Sequence, residues 1–307
     1  MRELFDAELN LDDHAMGKDE LKAAVARAQV LVPTITDVID ADVIEAAGPD
    51  LKLIANFGAG TDHIDVAAAA ARKIIVSNTP GVLAEDTADM AMALILAVRR
   101  RLVEGAAMMD EGRFEGWTPT AMLGRRLWGS RLGIVGLGRI GQALARRARA
   151  FGMQVHYHNR NRLNPGLEEE LGATWWDSLE AMLPRVDVLS LNAPSTDQTH
   201  HLISAERLAL MKPDAVLINT ARGGVLDEDA LFEAASSVRL GGAVLDVFKQ
   251  EPYAPSSHDL RTLGNVLLTP HIGSSTVEAC RRMALAALKN IELCQDRQFE
   301  KMNLVCR

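Results

Sequence analysis

The sequence predicts an α/β protein of two domains, each a doubly wound parallel sheet flanked by helices. Three observations predict it. Apolar β-type runs alternate with helical patterns along most of the chain, as βαβ units require. One of those runs, Arg131–Val135, leads into a G-x-G-x-x-G turn (Gly136, Gly138, Gly141) and then an alanine-rich helix pattern reaching about Phe151. The length, 307 residues, is enough for two separate cores.

The glycine turn organises the rest. A strand, a tight turn and a helix N-terminus in that order let the backbone approach a pyrophosphate closely, with free N–H groups and a partial positive charge facing it. Three glycines alone are a weak signal. The flanking strand and helix make the motif a dinucleotide-binding fingerprint of the Rossmann type.

Composition narrows the function classes. Apolar residues make up 48% and charged residues 24%, with a net charge of -8. The acidic balance argues against a general nucleic-acid binder. Met1–Asn10 is acidic and lacks the pattern of a signal peptide, and the longest apolar run, Met90–Val98, is too short to span a bilayer. Cys280, Cys294 and Cys306 are odd in number and match no zinc spacing, so no metal site is expected. They read as reduced thiols of a cytoplasmic protein.

Before the glycine turn, Gln29–Ile35, Leu51–Phe57 and Lys73–Asn78 read as buried strands, with helices at Lys18–Arg27, Ala41–Ala47 and Asp65–Arg72 between them. The turn Asn56–Asp62, rich in glycine, follows a strand and exposes N–H groups that suit a small anion. Glu85–Val98 reads as a long helix opened by acidic residues. Arg99–Gly129 loses its periodicity. Trp117 and Trp128 are too apolar for a free loop, so this stretch is expected to be an irregular arm, with Phe114–Trp128 packing on a partner subunit.

After the turn, strands are expected at Met153–His158, Val186–Leu191, Ala215–Asn219, Gly242–Asp246 and Asn265–Thr269. Helices are expected at Ser204–Met211, Asp227–Ser236 and Ala279–Cys294. The last helix is expected to return to the N-terminal unit. The expected domains are therefore 1–97 plus 280–307 for substrate and 98–279 for the dinucleotide, with the active site in the cleft between them.

Ligands in such sheets bind beyond the C-terminal strand ends. Those ends carry Thr220, Ala221 and Arg222, then Asp246 followed by Glu251, then His271 and Gly273. A guanidinium holds a carboxylate with a planar fork. A histidine exchanges a proton near neutral pH. A glutamate beside it stabilises the charged imidazole. Arg222, Glu251 and His271 together suit a carboxylate-bearing substrate that gains or loses a proton.

These residues bring a family into view. The chain resembles the D-isomer-specific 2-hydroxyacid dehydrogenases, in particular the glyoxylate and hydroxypyruvate reductase branch. The likeness rests on Gly58–Asp65, Asn78–Ala91, Leu132–Gly141, Asn219–Gly224, Leu245–Pro252 and Thr269–Ser274, and runs from about Val30 to Ala287. It implies hydride transfer between NAD(P)H and a small 2-oxoacid. His271 would be the acid/base, Glu251 its partner, and Arg222 the group that orients the substrate. The Ala59 and Gly60 backbone would contact the substrate carboxylate, and Thr87 and Asp246 would lie near the nicotinamide. The expected cofactor shell adds Gly136, Gly138, Arg139, Ile140, Gly141, Asn159, Arg160, Asn161, Ala193, Pro194, Thr220, Ala221, His271 and Gly273. The Arg99–Gly129 arm would be a homodimer contact. Family members usually begin with an extra strand and helix, which this chain is expected to lack; its first sheet would then expose an edge or have it covered by a partner.

Two rivals share the fold. Formate dehydrogenase-like enzymes carry Gln where Glu251 stands, because formate oxidation needs no proton acceptor. Corepressor-like cofactor sensors can retain all three residues, though they add a disordered tail not seen here. For the cofactor, an NAD site places a carboxylate about 20 residues beyond the glycines. Here that position is His158-Asn159-Arg160-Asn161-Arg162. With no carboxylate to repel a 2′-phosphate, and with Arg160, Asn159 and Arg162 to attract one, NADP is favoured over NAD.

Overall fold

The apolar runs become strands because they are buried on both faces. Leu53–Ala55, Ile75–Ser77, Val188–Leu191, Val216–Asn219 and Gly242–Leu245 contain only buried residues, as parallel strands covered by helices must. The computed structural model describes residues 5–12, 14–254 and 257–306. In chain order the first elements are α1 (Lys18–Arg27), β1 (Val30–Leu31), α2 (Ala41–Glu45), β2 (Leu53–Ala55), α3 (Val66–Ala71), β3 (Ile75–Ser77), α4 (Ala84–Arg99) and α5 (Leu102–Asp110). Next come β4 (Arg131–Val135), α6 (Arg139–Ala150), β5 (Gln154–His158), α7 (Pro165–Leu171), β6 (Ala173–Trp175), α8 (Leu179–Met182) and β7 (Val188–Leu191). The chain continues through α9 (Ala205–Ala209), β8 (Val216–Asn219), α10 (Glu228–Ser236), β9 (Gly242–Leu245) and β10 (Val266–Leu268), and ends with α11 (Val277–Gln295) and β11 (Leu304–Cys306).

Two units result: Met1–Leu83 with Thr276–Arg307, and Ala84–Ser275. The first holds a four-stranded sheet ordered β1-β2-β3-β11. Its first three strands are parallel, but β11 runs antiparallel to β3. The sheet is therefore mixed, a departure from the all-parallel expectation. The apolar face of α11 lies on this sheet, with Ile291 and Leu293 packed among Leu53, Ala55 and Ile75.

The second unit holds a seven-stranded parallel sheet ordered β10-β9-β8-β7-β4-β5-β6. Strand order reverses at β4, so the glycine turn stands at the topological switch point, where such sheets bind their ligands.

Helix α4 belongs to the second unit, although the boundary expected at 97/98 put it in the first. The reason is packing. Ala88, Ala91, Met92 and Ile95 share a core with Ala143, Leu144, Ala145 and Ala148 of α6. Arg147 ties the two helices at the surface through Glu85 and Asp89. The expected irregular arm is also corrected, because α5 is a nine-residue helix inside it. Gly105 in its middle and the lack of a buried face hide it from periodicity. The remainder, 111–129, carries no helix or strand, and Phe114, Trp117, Leu123 and Trp128 are exposed, Trp117 by 82%. Among the described residues no helix is long and apolar enough to cross a membrane.

Candidate active site

The glycine turn is held by steric need. Gly136 sits at φ +95, where a Cβ would lie 2.8 Å from the backbone of Asn192 and Ala193. A Cβ on Gly141 would stand 2.5 Å from the Gly136 carbonyl oxygen. Gly138, by contrast, faces open space and forms the N-cap of α6 without a side-chain cap. Gly138 and Arg139 are exposed and Ile140 is half-buried. The first turn of α6 thus offers uncapped N–H groups to an anion. Beyond β7, Ala193 is buried beside Gly136, and Pro194 is exposed next to it.

At the tip of β5, Asn159 Oδ1 accepts the Leu137 amide at 2.6 Å. That bond assigns the side-chain orientation and makes Nδ2 the donor end of the half-buried amide. Arg160 is exposed and donates to Gln198 Oε1 at 3.1 Å. Asn161 is exposed beside it. Arg162 corrects an expectation. It is forked onto Glu168 at 2.7 and 2.9 Å, so its charge is paired within the chain although the guanidinium is exposed. Arg162 and the Tyr157 hydroxyl together hold the Glu168 carboxyl at about 2. Burial, reinforced by Glu168, pushes the Tyr157 phenol up to about 12.

The remaining residues gather at the C-terminal ends of β8, β9 and β10. Thr220 is buried, and its hydroxyl has no hydrogen-bond partner among the described residues. Asn219 closes the next turn, accepting the Ala221 amide and donating to the Arg222 carbonyl. Arg222 donates Nη1–H to the Ala221 carbonyl at 2.7 Å. Gly223 is required here: a Cβ would fall 1.9 Å from the Phe248 carbonyl carbon. The Arg222 turn and the segment leading to Glu251 therefore touch backbone to backbone.

Asp246 directly follows β9 and is fully buried. Its Oδ1 accepts the Thr269 hydroxyl at 2.6 Å and the Ile272 amide at 2.9 Å, and its Oδ2 accepts the Gly273 amide at 2.7 Å. A Cβ on Gly273 would meet Asp246 Oδ2 at 2.9 Å and the Thr87 methyl at 3.7 Å, which locates Thr87 of α4 in the same cluster. These bonds over-determine the turn that carries His271, which adopts a left-handed φ of +53.

His271 Nδ1 lies 2.7 Å from Glu251 Oε2. Glu251 Oε1 accepts the Phe248 amide at 3.0 Å. Burial pushes the Glu251 carboxyl up, but the bonds from His271 and the Phe248 amide, with the charges of His271 and Arg222, outweigh it and hold it below its ordinary range. The Lys249 amide donates to Glu228 of α10. Burial dominates there and raises the Glu228 carboxyl. Thr269 and Gly223, both within the strand-end segments, act as supports, and Glu228 of α10 is a support that those segments do not contain.

A nicotinamide dinucleotide fits what is present. The turn cannot carry a Cβ at Gly136 or Gly141, α6 is uncapped, and a buried hydroxyl at Thr220 waits for a partner. The sequence profile of the D-isomer specific 2-hydroxyacid dehydrogenase NAD binding domain matches residues 92–273. The chain belongs to that family. It is 46% identical to a glyoxylate reductase of Thermococcus litoralis over 295 residues, 95% of this chain and 88% of the relative. A solved structure of the same family from Polaromonas sp. JS6 66 superposes with a TM-score of 0.91 at 41% identity, covering 99% of this chain and 94% of that one. An NADPH-dependent glyoxylate/hydroxypyruvate reductase from Sinorhizobium meliloti, solved with NADP and malonate, gives 0.76 at 37% identity, over 86% of this chain and 79% of that one. The 2-hydroxyacid dehydrogenase described here falls in the glyoxylate reductase branch and is an NAD(P)-dependent oxidoreductase acting on 2-oxoacids.

In the first unit, Ala59 and Gly60 lie on the turn after β2, both half-buried, and their amides have no hydrogen-bond partner among the described residues. Two N–H groups left open on one tight turn can accept a small anion.

Proposed function

We propose that this enzyme reduces a small 2-oxoacid, glyoxylate or hydroxypyruvate in class, to the D-2-hydroxyacid with NADPH. One observation carries the reading: His271 and Glu251 form a 2.7 Å pair on a turn pinned by Asp246. A carboxylate on Nδ1 fixes the tautomer and leaves Nε2 to carry the exchanged proton. His271 then protonates the substrate 2-oxygen, and Glu251 stabilises the imidazolium before that step. Arg222 orients the substrate carboxylate and keto oxygen, and the Ala59 and Gly60 amides take the carboxylate as well. When bound, the reduced nicotinamide supplies the hydride. Glu251 in place of Gln counts against a formate dehydrogenase-like activity.

Preference for NADP rests on the β5 tip, where Arg160 is exposed, Asn159 keeps Nδ2 as a donor and no carboxylate stands at 158–162. NAD remains the alternative cofactor. Thr87, Asp246 and Gly273 would flank the nicotinamide, and Gly136–Gly141, Ala193, Pro194, Thr220 and Ala221 the rest of the dinucleotide. The test is oxidation of NADPH and NADH with a panel of 2-oxoacids. The reading expects glyoxylate or hydroxypyruvate to turn over with NADPH preferred. Absence of turnover with every 2-oxoacid would overturn it in favour of a cofactor-sensing protein.

The exposed Phe114, Trp117, Leu123 and Trp128 support a homodimer covering 111–129. Light scattering should give twice the chain mass at micromolar concentration, and a monomer refutes this. The three free thiols support a cytoplasmic location, which cell fractionation tests.

A further inference from the structure

The turn that would take the substrate carboxylate has an unusual support. Its three consecutive carbonyls all point at side-chain amides. Asn56 Nδ2 donates to the Gly58 oxygen at 3.0 Å and to the Gly60 oxygen at 2.8 Å. Asn78 Nδ2 donates to the Ala59 oxygen at 2.7 Å. The Gly58 oxygen also accepts the Thr79 amide at 2.9 Å.

Both asparagines are themselves fixed. Asn56 is 1% exposed, and its amide donates to the Ser77 carbonyl. Its Oδ1 lies 3.0 Å from His63 Nε2, which therefore donates to it and sets the amide orientation. Asn78 donates its main-chain N–H to the Asn303 carbonyl and accepts Asn290 Nδ2 at 3.0 Å. The buried Asn290 of α11 accepts the Asn303 amide in turn.

The consequence follows from peptide geometry. Where each C=O of a turn is drawn inward, the neighbouring N–H groups face the other way. Free carbonyls would present negative charge to an incoming carboxylate, and here none of the three is free to do so. We propose that Asn56 and Asn78 are positioning residues for substrate-carboxylate recognition: by holding the carbonyls of residues 58–60 they turn the Ala59 and Gly60 amides toward the anion. His63 holds Asn56, and Asn290 holds Asn78. The proposal rests on the 2-oxoacid reading above.

The test compares wild type with Asn78→Asp and Asn56→Asp. Each replacement keeps size but exchanges a donor for an acceptor facing a carbonyl. The readouts are KM and kcat for glyoxylate, the Kd of NADPH, and the Kd of oxalate by calorimetry with NADPH present. Thermal unfolding checks that each variant folds. Asn78 is half-buried, so Asn78→Asp stands in if the buried Asn56→Asp fails to fold. Losing the bonds that orient an anion site should raise KM and the oxalate Kd by about ten- to a hundredfold. NADPH affinity should be unchanged, and kcat should move less than about threefold. Activity on glycolaldehyde, which lacks the carboxylate, should be unaffected.

Unchanged KM and unchanged oxalate binding in a folded variant would overturn the proposal while leaving the function intact. If wild type turns over no 2-oxoacid but binds oxalate, and the variants lose that binding, the function fails and the positioning stands. If wild type neither turns over 2-oxoacids nor binds oxalate, both fail.

Discussion

Two glycine-rich turns, each following a buried parallel strand, do different work by different means. The turn after β4 is shaped by what glycine lacks: at Gly136 and Gly141 an added Cβ would press into backbone. The turn after β2 is shaped by what its neighbours supply. Gly58 has ordinary room, with Asn56 Nδ2 3.5 Å from an added Cβ, and the Asn56 and Asn78 amides set the peptide directions. Both leave N–H groups open for an anion, one at a helix N-terminus and one on a bare turn. A backbone held by sterics leaves a glycine pattern in the sequence. A backbone held by side-chain amides leaves only isolated asparagines.

The comparison breaks first at glycine. Gly136→Ala introduces a Cβ at φ +95 and a 2.8 Å backbone contact. It should destabilise the protein by about 2–4 kcal/mol and abolish tight cofactor binding. Gly58→Ala should stay within about 0.5 kcal/mol of wild type. Thermal unfolding and cofactor titration of the two variants side by side check this, and equal losses would erase the distinction.

A smaller effect sharpens the account of the β5 tip. Arg160→Ala should weaken NADPH by about ten- to a hundredfold and NADH by much less, since a charge-assisted phosphate contact is worth about 1.5–3 kcal/mol. Equal weakening of both cofactors would contradict the NADP assignment. Arg162→Ala should leave the ratio between the cofactors unchanged, because Glu168 already holds that charge.

The smallest effect is a pH dependence of stability. Glu168 titrates at about 2 in the folded protein, below its ordinary 4.5. A depressed carboxylate contributes stability that is full above the unfolded value and fades as pH falls toward the folded one. Wild type should thus lose thermal stability between about pH 5 and pH 2, and Glu168→Gln should flatten part of that acid limb. Identical limbs would mean that the Arg162–Glu168–Tyr157 cluster carries no such linkage.

The contrast between the turns also explains what could be read in advance. The strands that lead to Arg222, Glu251 and His271 are legible in the sequence, because long apolar runs announce buried strands. The short β6 and β11 and the helices α7 and α8 lack enough residues for a period to emerge. Helix α5 carries the weak helix former Gly105 and buries no face, so no period emerges. Placement of α4 depended on which alanine surface α6 presents, a tertiary choice. The roles of Asn56 and Asn78 depend on which carbonyls fold back over them, and no spacing encodes that. Arg162 has no partner within its own loop among the described residues; Glu168, which pairs with it, comes from α7.

In the proposed reduction, His271 donates the proton to the 2-oxoacid. The most direct test of that role is His271→Ala assayed for NADPH oxidation with saturating glyoxylate, alongside an NADPH titration. A proton donor at His271 requires kcat to fall by about 10²- to 10⁴-fold, with NADPH affinity close to that of wild type. An unchanged kcat would contradict it.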